Sequence, residues 1–410
     1  MSINAVDDPE FCDIISNKKT MSAKSTIKNK ALSIIGVLVL LMFSLSIMAF
    51  KSAKIPAPSG DYSVGSVELE FQDPNREGRK LKVILFYPAA EIHQETIPYH
   101  PYPDSLEKDL KSLYGIPKIL IKKLSRSTIP TKNLAKPQKS DSGFPLLLFS
   151  HGFNGSRFQN SFLLPDLASH GYVVASIEHT GSAAGTVFED LSIGGLTPFD
   201  SVTQNEPYSD REILKWSDDQ IFVLNQLEKL TNESLVPFPL MINFKKIGVF
   251  GHSFGGATSA NTLIRDKRFL AGINLDGFYF GKGHLEGFEQ PFMEIRADNP
   301  PAETMSEKDL KEWKMTQEEY HDFLFVEWKL RLEGLARGGY ESYVIEGANH
   351  MSFSDFTLMF PMGFITAPQR ENHHEVTRQL VRNFFDVHLK GEEKKELDSK
   401  LKSLVLTQSE

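Results

Sequence analysis

Six residues, Gly251-His252-Ser253-Phe254-Gly255-Gly256, constrain this chain more than any others. They follow the apolar run Ile247-Gly248-Val249-Phe250 and precede the small residues Ala257-Thr258-Ser259-Ala260. A G-x-S-x-G between a strand and a helix marks a nucleophile elbow, a turn so sharp that the serine hydroxyl stands exposed at the edge of a sheet. Glycine flanks the serine because a Cβ there would strike the adjoining strand and helix. The pentapeptide alone is weak evidence. With Gly and Ser each near 7% of residues, chance supplies it in about one chain in seven of this length. The surrounding pattern has to decide.

That pattern alternates strands with helices. Apolar segments at 144–150, 172–178, 247–250, 270–275, 291–296 and 340–345 read as strands. The run at 144–150 is continuously apolar, as in a strand covered on both faces. Helical spacing is expected at about 157–170, 208–231 and 373–389. Upstream, 66–71 and 81–87 read as two strands joined by a turn at 73–78, and 90–143 as irregular. The alternation predicts an α/β chain with the α/β-hydrolase fold: a mostly parallel central sheet with helices on both faces, spanning 65–390. Residues 301–336 read as a charged helical insertion and 391–410 as a charged tail.

Residues 31–50 carry no charged side chain across 20 positions. A helix of that length crosses the roughly 30 Å hydrocarbon core of a bilayer. The preceding Lys18, Lys19, Lys24, Lys28 and Lys30, with no acid between 14 and 30, assign residues 1–30 to the cytoplasm. We read 31–50 as an uncleaved transmembrane signal anchor, 51–64 as a linker and the remainder as extracytoplasmic. Secretion after signal cleavage is the alternative, but this apolar core is longer than a signal peptide's and its exit is a poor cleavage site. The single cysteine, Cys12, precedes the anchor, so the catalytic part has no disulfide. A net charge of −8 argues against a nucleic-acid partner. Two glycosylation sequons begin at Asn154 and Asn232; the first adjoins the elbow's expected partners and is not expected to be modified.

An elbow serine needs a general base and an acid that orients it, in the chain order Ser, Asp or Glu, His. Asp276 closes the strand at 270–275, and His350 follows the strand at 340–345. Ser253, Asp276 and His350 are the candidate triad, with Asp298, after the strand at 291–296, a rival acid. The oxyanion hole requires two backbone N–H groups. The residue after the nucleophile, Phe254, offers one. Phe153, in the loop Ser150-His151-Gly152-Phe153 after the third strand, offers the other. No metal-binding or cofactor motif is present in the sequence. His373 and His374 are adjacent, which separates them around a helix, and they read as part of a solvated face.

These segments together resemble the platelet-activating factor acetylhydrolase family. The resemblance is carried by Leu147 to Phe153, by Leu167-Ala168-Ser169-His170-Gly171-Tyr172 continuing to Glu178-His179, by the elbow, by Asn274-Leu275-Asp276-Gly277-Phe278, and by His350-x-x-Phe353-x-Asp355-Phe356. It implies an α/β-hydrolase that cleaves short or oxidised sn-2 acyl esters of phospholipids without Ca²⁺, through an acyl-enzyme on Ser253 with His350 and Asp276. The family triad favours Asp276 over Asp298. Two features depart from the family: the 74-residue interval from Asp276 to His350, and the N-terminal anchor.

One further element bears on substrate. Leu106, Leu110, Leu113 and Tyr114 share a helical face, followed by Ile116, Ile119, Leu120, Ile121 and Leu124. Of these, Leu113, Tyr114, Ile116, Ile119 and Leu120 are the candidate interfacial contacts with lipid, as the resemblance also implies. The other reading is a cap packed over the site. Two other functions stay open: a general short-chain carboxylesterase or polyester hydrolase, and a non-catalytic homologue acting as a binding module.

Overall fold

The computed structural model describes residues 52–92, 94–115, 118, 121, 124, 126–198, 206–232, 241–279, 287–299, 304–313, 316–321, 336–359 and 366–407. The expected cytoplasmic segment and anchor, Cys12, and most of the 301–336 insertion lie outside these residues. So do Ile116, Ile119, Leu120 and the side chain of Tyr114. Among the described residues, no helix is long and apolar enough to cross a membrane.

A ten-stranded sheet organises residues 52–407. Its strands are β1 (Ser63–Asp73), β2 (Arg79–Ala89), β5 (Lys132–Asn133), β6 (Phe144–Ser150), β7 (Val173–Glu178), β8 (Ile242–His252), β9 (Phe269–Leu275), β10 (Phe292–Arg296), β11 (Tyr340–Ile345) and β12 (Val405–Thr407). They lie in the order β12-β11-β10-β9-β8-β6-β7-β2-β1-β5. From β7 to β11 every neighbouring pair is parallel. Strands β2 and β12 join this core antiparallel. A separate two-stranded antiparallel sheet pairs β3 (Ile97–Pro98) with β4 (Thr128–Ile129).

The apolar strands are continuous because both faces are covered. Leu147, Phe149 and Phe250 face one core with α2 (Leu164–Ser169) and α5 (Ala367–Phe385). Leu146, Leu148, Ile247 and Val249 face the other, with α3 (Glu206–Asn232) and α4 (Phe254–Arg265). The mostly parallel sheet with helices on both faces is therefore observed.

Several local expectations need correction. The helix expected over 157–170 is confined to Leu164–Ser169, beginning where Pro165 can occupy a first-turn position. Before it, 153–162 runs through turns because its backbone donors go elsewhere: Ser161 N–H and Phe162 N–H bond the Asp355 carboxylate. The expected linker is packed rather than loose. Ala53 and Ile55 are buried, Ser59 N–H bonds Asp166, and the Arg378 guanidinium donates to the Pro56 and Ala57 carbonyls. The expected tail carries α6 (Ser399–Lys402) and edge strand β12. His373 and His374 are buried, not solvated; His374 stacks on Phe162 at 4.0 Å. The 90–143 stretch contains α1 (Pro103–Tyr114), whose Leu106 is buried and whose Leu110 packs on the core, as are and do Ile121 and Leu124 beyond it. These four side chains cap the core; Leu113 is half-buried.

Candidate active site

The strand order sets the location of the site. From β6 the chain runs through α2 to β7 on one side, then returns across β6 to β8 on the other. Ligands of open α/β sheets bind at the carboxyl ends of strands where the order switches in this way. There β6 ends at Ser150 and β8 at His252.

Ser253 occupies the turn from β8 to α4 with φ 56° and ψ −125°. Such backbone costs on the order of 1–3 kcal/mol for a non-glycine residue, so the surroundings must enforce it. Ser253 N–H bonds the Leu275 carbonyl of β9, and its own carbonyl accepts from Gly256 and Ala257 in α4. The turn closes because residue 255 is glycine: a Cβ there would fall 2.1 Å from the Ser150 carbonyl oxygen. The serine is thereby held at the N-terminus of α4, a twelve-residue helix whose dipole favours negative charge beside it.

His350 begins a short 3₁₀ turn capped by Asn349, whose side chain accepts from Met351 N–H. Its Nε2 lies 3.0 Å from Ser253 Oγ, and its Nδ1 lies 2.7 Å from Asp276 Oδ2. A carboxylate only accepts, so Nδ1 carries the proton. The Nε2 lone pair of the neutral ring then faces the serine hydroxyl. Asp276 follows β9 at φ 53°, and its other oxygen accepts from Ala297 N–H at 2.8 Å. Burial pushes the Asp276 carboxyl up, but the His350 contact and the Ala297 N–H outweigh this and hold it below its ordinary value. Asp298 takes a different place. Its N–H bonds the Ala348 carbonyl and its carboxylate accepts from Gly347 N–H at 2.9 Å, bracing the loop that presents His350.

The β6 loop closes the other side. A Cβ at Gly152 would fall 3.2 Å from Ser253 Cβ, so this loop packs against Ser253. Phe153 and Phe254 meet with their rings edge to face at 5.5 Å, beside the buried Trp216. The Gly152 carbonyl accepts from His151 Nδ1 at 2.6 Å and from Gly155 N–H at 2.8 Å. In a trans peptide the C=O and N–H point in opposite directions. Pinning that carbonyl therefore fixes the direction of the Phe153 N–H. His179 N–H in turn donates to His151 Nε2 at 3.2 Å. Burial holds His151 neutral, with its pKa down at about 3.

Residues outside the sequence-derived set support this loop. Arg157, fully buried, donates to Glu178 at 2.7 Å and to Glu68 at 2.8 Å. His179 links Ser150 Oγ (2.8 Å) to Asp219 (2.9 Å) and stacks on Trp216 at 3.9 Å. Asp219 is further paired with Arg76 and Arg79. A charged Glu178-His179 ending an apolar strand was the visible sequence signal for part of this network. Nothing in the sequence marks Arg157 or Gln159.

Of the candidate residues, the structure brings together Ser253, Asp276, His350, Phe153 and Phe254. It leaves Leu113 on α1, outside that cluster. The family model for platelet-activating factor acetylhydrolase, isoform II, matches residues 47–194 and 234–367, which include all five. The platelet-activating factor acetylhydrolase of Canis lupus familiaris is 34% identical over 56% of this chain and 56% of its own. A probable 1-alkyl-2-acetylglycerophosphocholine esterase of Arthroderma benhamiae is 28% identical over 75% of this chain and 78% of its own. The chain thus spans about half the length of the mammalian relatives and more of the fungal one. A ferulic acid esterase from Streptomyces cinnamoneus superimposes with a TM-score of 0.65 at 24% identity, covering 87% of this chain and 100% of that one. At that identity the likeness concerns the fold.

Proposed function

This chain belongs to the platelet-activating factor acetylhydrolase, isoform II, family, and on that premise we propose that it is a serine esterase cleaving short or oxidised sn-2 acyl esters of phospholipids. The observation that carries the reading is the unbroken line Asp276–His350–Ser253, at 2.7 and 3.0 Å, beside the loop of Gly152 and Phe153. The relatives with acetylhydrolase and acetylglycerophosphocholine esterase names support the substrate class.

In this mechanism Ser253 Oγ attacks the ester carbonyl as its proton passes to His350 Nε2. Asp276 keeps the proton on Nδ1 and stabilises the imidazolium. The Phe153 and Phe254 N–H groups receive the developing oxyanion, each contributing about 3 kcal/mol to the transition state. Collapse expels the lysophospholipid alkoxide, which takes the proton from His350 and leaves an acyl group on Ser253. Water then attacks that acyl group, giving its proton to His350, and the free acid leaves with Ser253 reprotonated.

The anchor belongs to the same proposal. Residues 31–50 hold the enzyme in a membrane, with the catalytic unit on the extracytoplasmic side. Support comes from the uncharged stretch and the five lysines before it.

The test compares Ser253→Ala with the parent on 1-alkyl-2-acetylglycerophosphocholine, long-chain phospholipids and water-soluble aryl esters, together with fluorophosphonate labelling. The proposal expects labelling of the parent only, loss of turnover in the variant, and preference for the short sn-2 ester. An unlabelled parent points to a binding module, and equal use of aryl esters points to a general carboxylesterase.

A further inference from the structure

Gln159 lies on the turn after the oxyanion loop, and its side-chain amide bridges two parts of the site. Oε1 accepts from Gly152 N–H at 2.9 Å, and Nε2 lies 2.6 Å from His252 Nδ1. The orientation of this amide is fixed: reversing it would set NH₂ against the Gly152 N–H. Since NH₂ only donates, His252 Nδ1 must be unprotonated. The proton is then on Nε2, which donates to the His350 carbonyl at 2.9 Å. A single directional line therefore runs from Gly152 N–H through the Gln159 amide and the His252 ring to the His350 carbonyl.

We infer that Gln159, acting through His252, is a positioning residue that holds the oxyanion loop, the nucleophile elbow and the general-base loop in one register. The inference rests on the triad reading above. Each end of the line adjoins a reacting group: Gly152 precedes Phe153, His252 precedes Ser253, and the last acceptor belongs to His350 itself. The base of the strut is anchored independently. Asp355 N–H bonds the Gln159 carbonyl at 2.8 Å, Asn160 Nδ2 donates to the Phe353 carbonyl at 2.6 Å, and Asp355 accepts from Ser161 and Phe162. The segment after the oxyanion loop is thereby stapled to the segment after His350. The titratable groups facing His252 are His350, Asp276 and His151, and burial keeps the ring neutral, with its pKa down at about 3.

Two variants test the strut. Gln159→Leu removes both hydrogen bonds. It is expected to lower kcat by about 10- to 100-fold, the scale of a misplaced reacting group, while KM moves less than about threefold. Gln159→Glu keeps the acceptor for Gly152 but needs a proton shared with His252 Nδ1. At low pH that proton is present and the line is intact. As pH rises it leaves, a carboxylate then faces the Nδ1 lone pair, and the line breaks. The ratio of variant to parent kcat should therefore fall with rising pH, producing a descending limb the parent lacks. A side chain that merely packs would give a constant ratio. A kcat within twofold of the parent for Gln159→Leu, or a flat ratio for Gln159→Glu, overturns the inference. If Gln159→Leu does not fold, the Gln159→Glu profile decides. Ser253→Ala measured in parallel separates the two ideas: residual turnover there sinks the triad reading, whereas a fully active Gln159→Leu with an inactive Ser253→Ala sinks only the strut.

Discussion

Asp276 stands in the left-handed region at φ 53°, its two carboxylate oxygens divided between His350 Nδ1 and the Ala297 N–H. An amide cannot serve both. In Asp276→Asn, either the NH₂ faces His350 and forces the wrong tautomer, or it faces the Ala297 donor. We expect kcat to fall by about 10⁴-fold at unchanged fold, the size of effect known for loss of the orienting acid in a triad. Asp298→Asn retains a carbonyl oxygen for Gly347 N–H and should cost less than about tenfold. Steady-state kinetics on both variants checks the pair, and the reverse order would make Asp298 the acid. Chain order and strand ends narrowed the acid to these two residues. Choosing between them depended on which carboxylate the folded chain turns toward the imidazole, and that is a contact between segments 74 residues apart.

At the scale of elements, the loop that follows β6 is held by charge inside the core. Arg157 joins it to Glu178 on β7 and Glu68 on β1, with the guanidinium over the Phe158 ring at 4.4 Å. Burial alone would raise the Glu178 carboxyl, yet the adjacent guanidinium pulls it below its ordinary value. Arg157→Ala strands a buried carboxylate and should destabilise the fold by about 3–5 kcal/mol. Combining Arg157→Met with Glu178→Leu should recover most of that stability, since the charge left without a partner, Glu68, is 35% exposed and reaches water. Chemical denaturation of the two proteins measures both effects. This network also explains why the expected helix at 157–170 is short. Its first residues give their side chains and N–H groups to Glu178 and Asp355, partners far away in sequence. Local periodicity contains no record of such partners, so the helical spacing of 157–163 yields to turns that tertiary bonds impose.

At the scale of the whole molecule, both ends of the described unit are built into it. Residues 53–60 strap across Ser127, Asp166 and Arg378, and β12 extends the sheet beyond β11. A chain beginning at residue 52 should keep the parent melting temperature within a few degrees and leave the membrane fraction. A chain beginning at 62 loses the burial of Ala53 and Ile55 and two acceptors of Arg378, and should be less stable by roughly 3–5 kcal/mol. Differential scanning calorimetry and membrane fractionation check these outcomes. The sequence by itself determined the fold class, the glycine-flanked turn at Ser253 and the order in which Ser253, Asp276 and His350 follow their strands. Those are written in hydrophobic period and glycine placement, which act over a few residues. Only the tertiary structure decided which aspartate meets His350, that Gln159 bridges Gly152 to His252, and that Arg157 is paired in the core. Each of these depends on side chains brought within 3 Å from strands and loops distant in sequence, and no local pattern encodes such a distance.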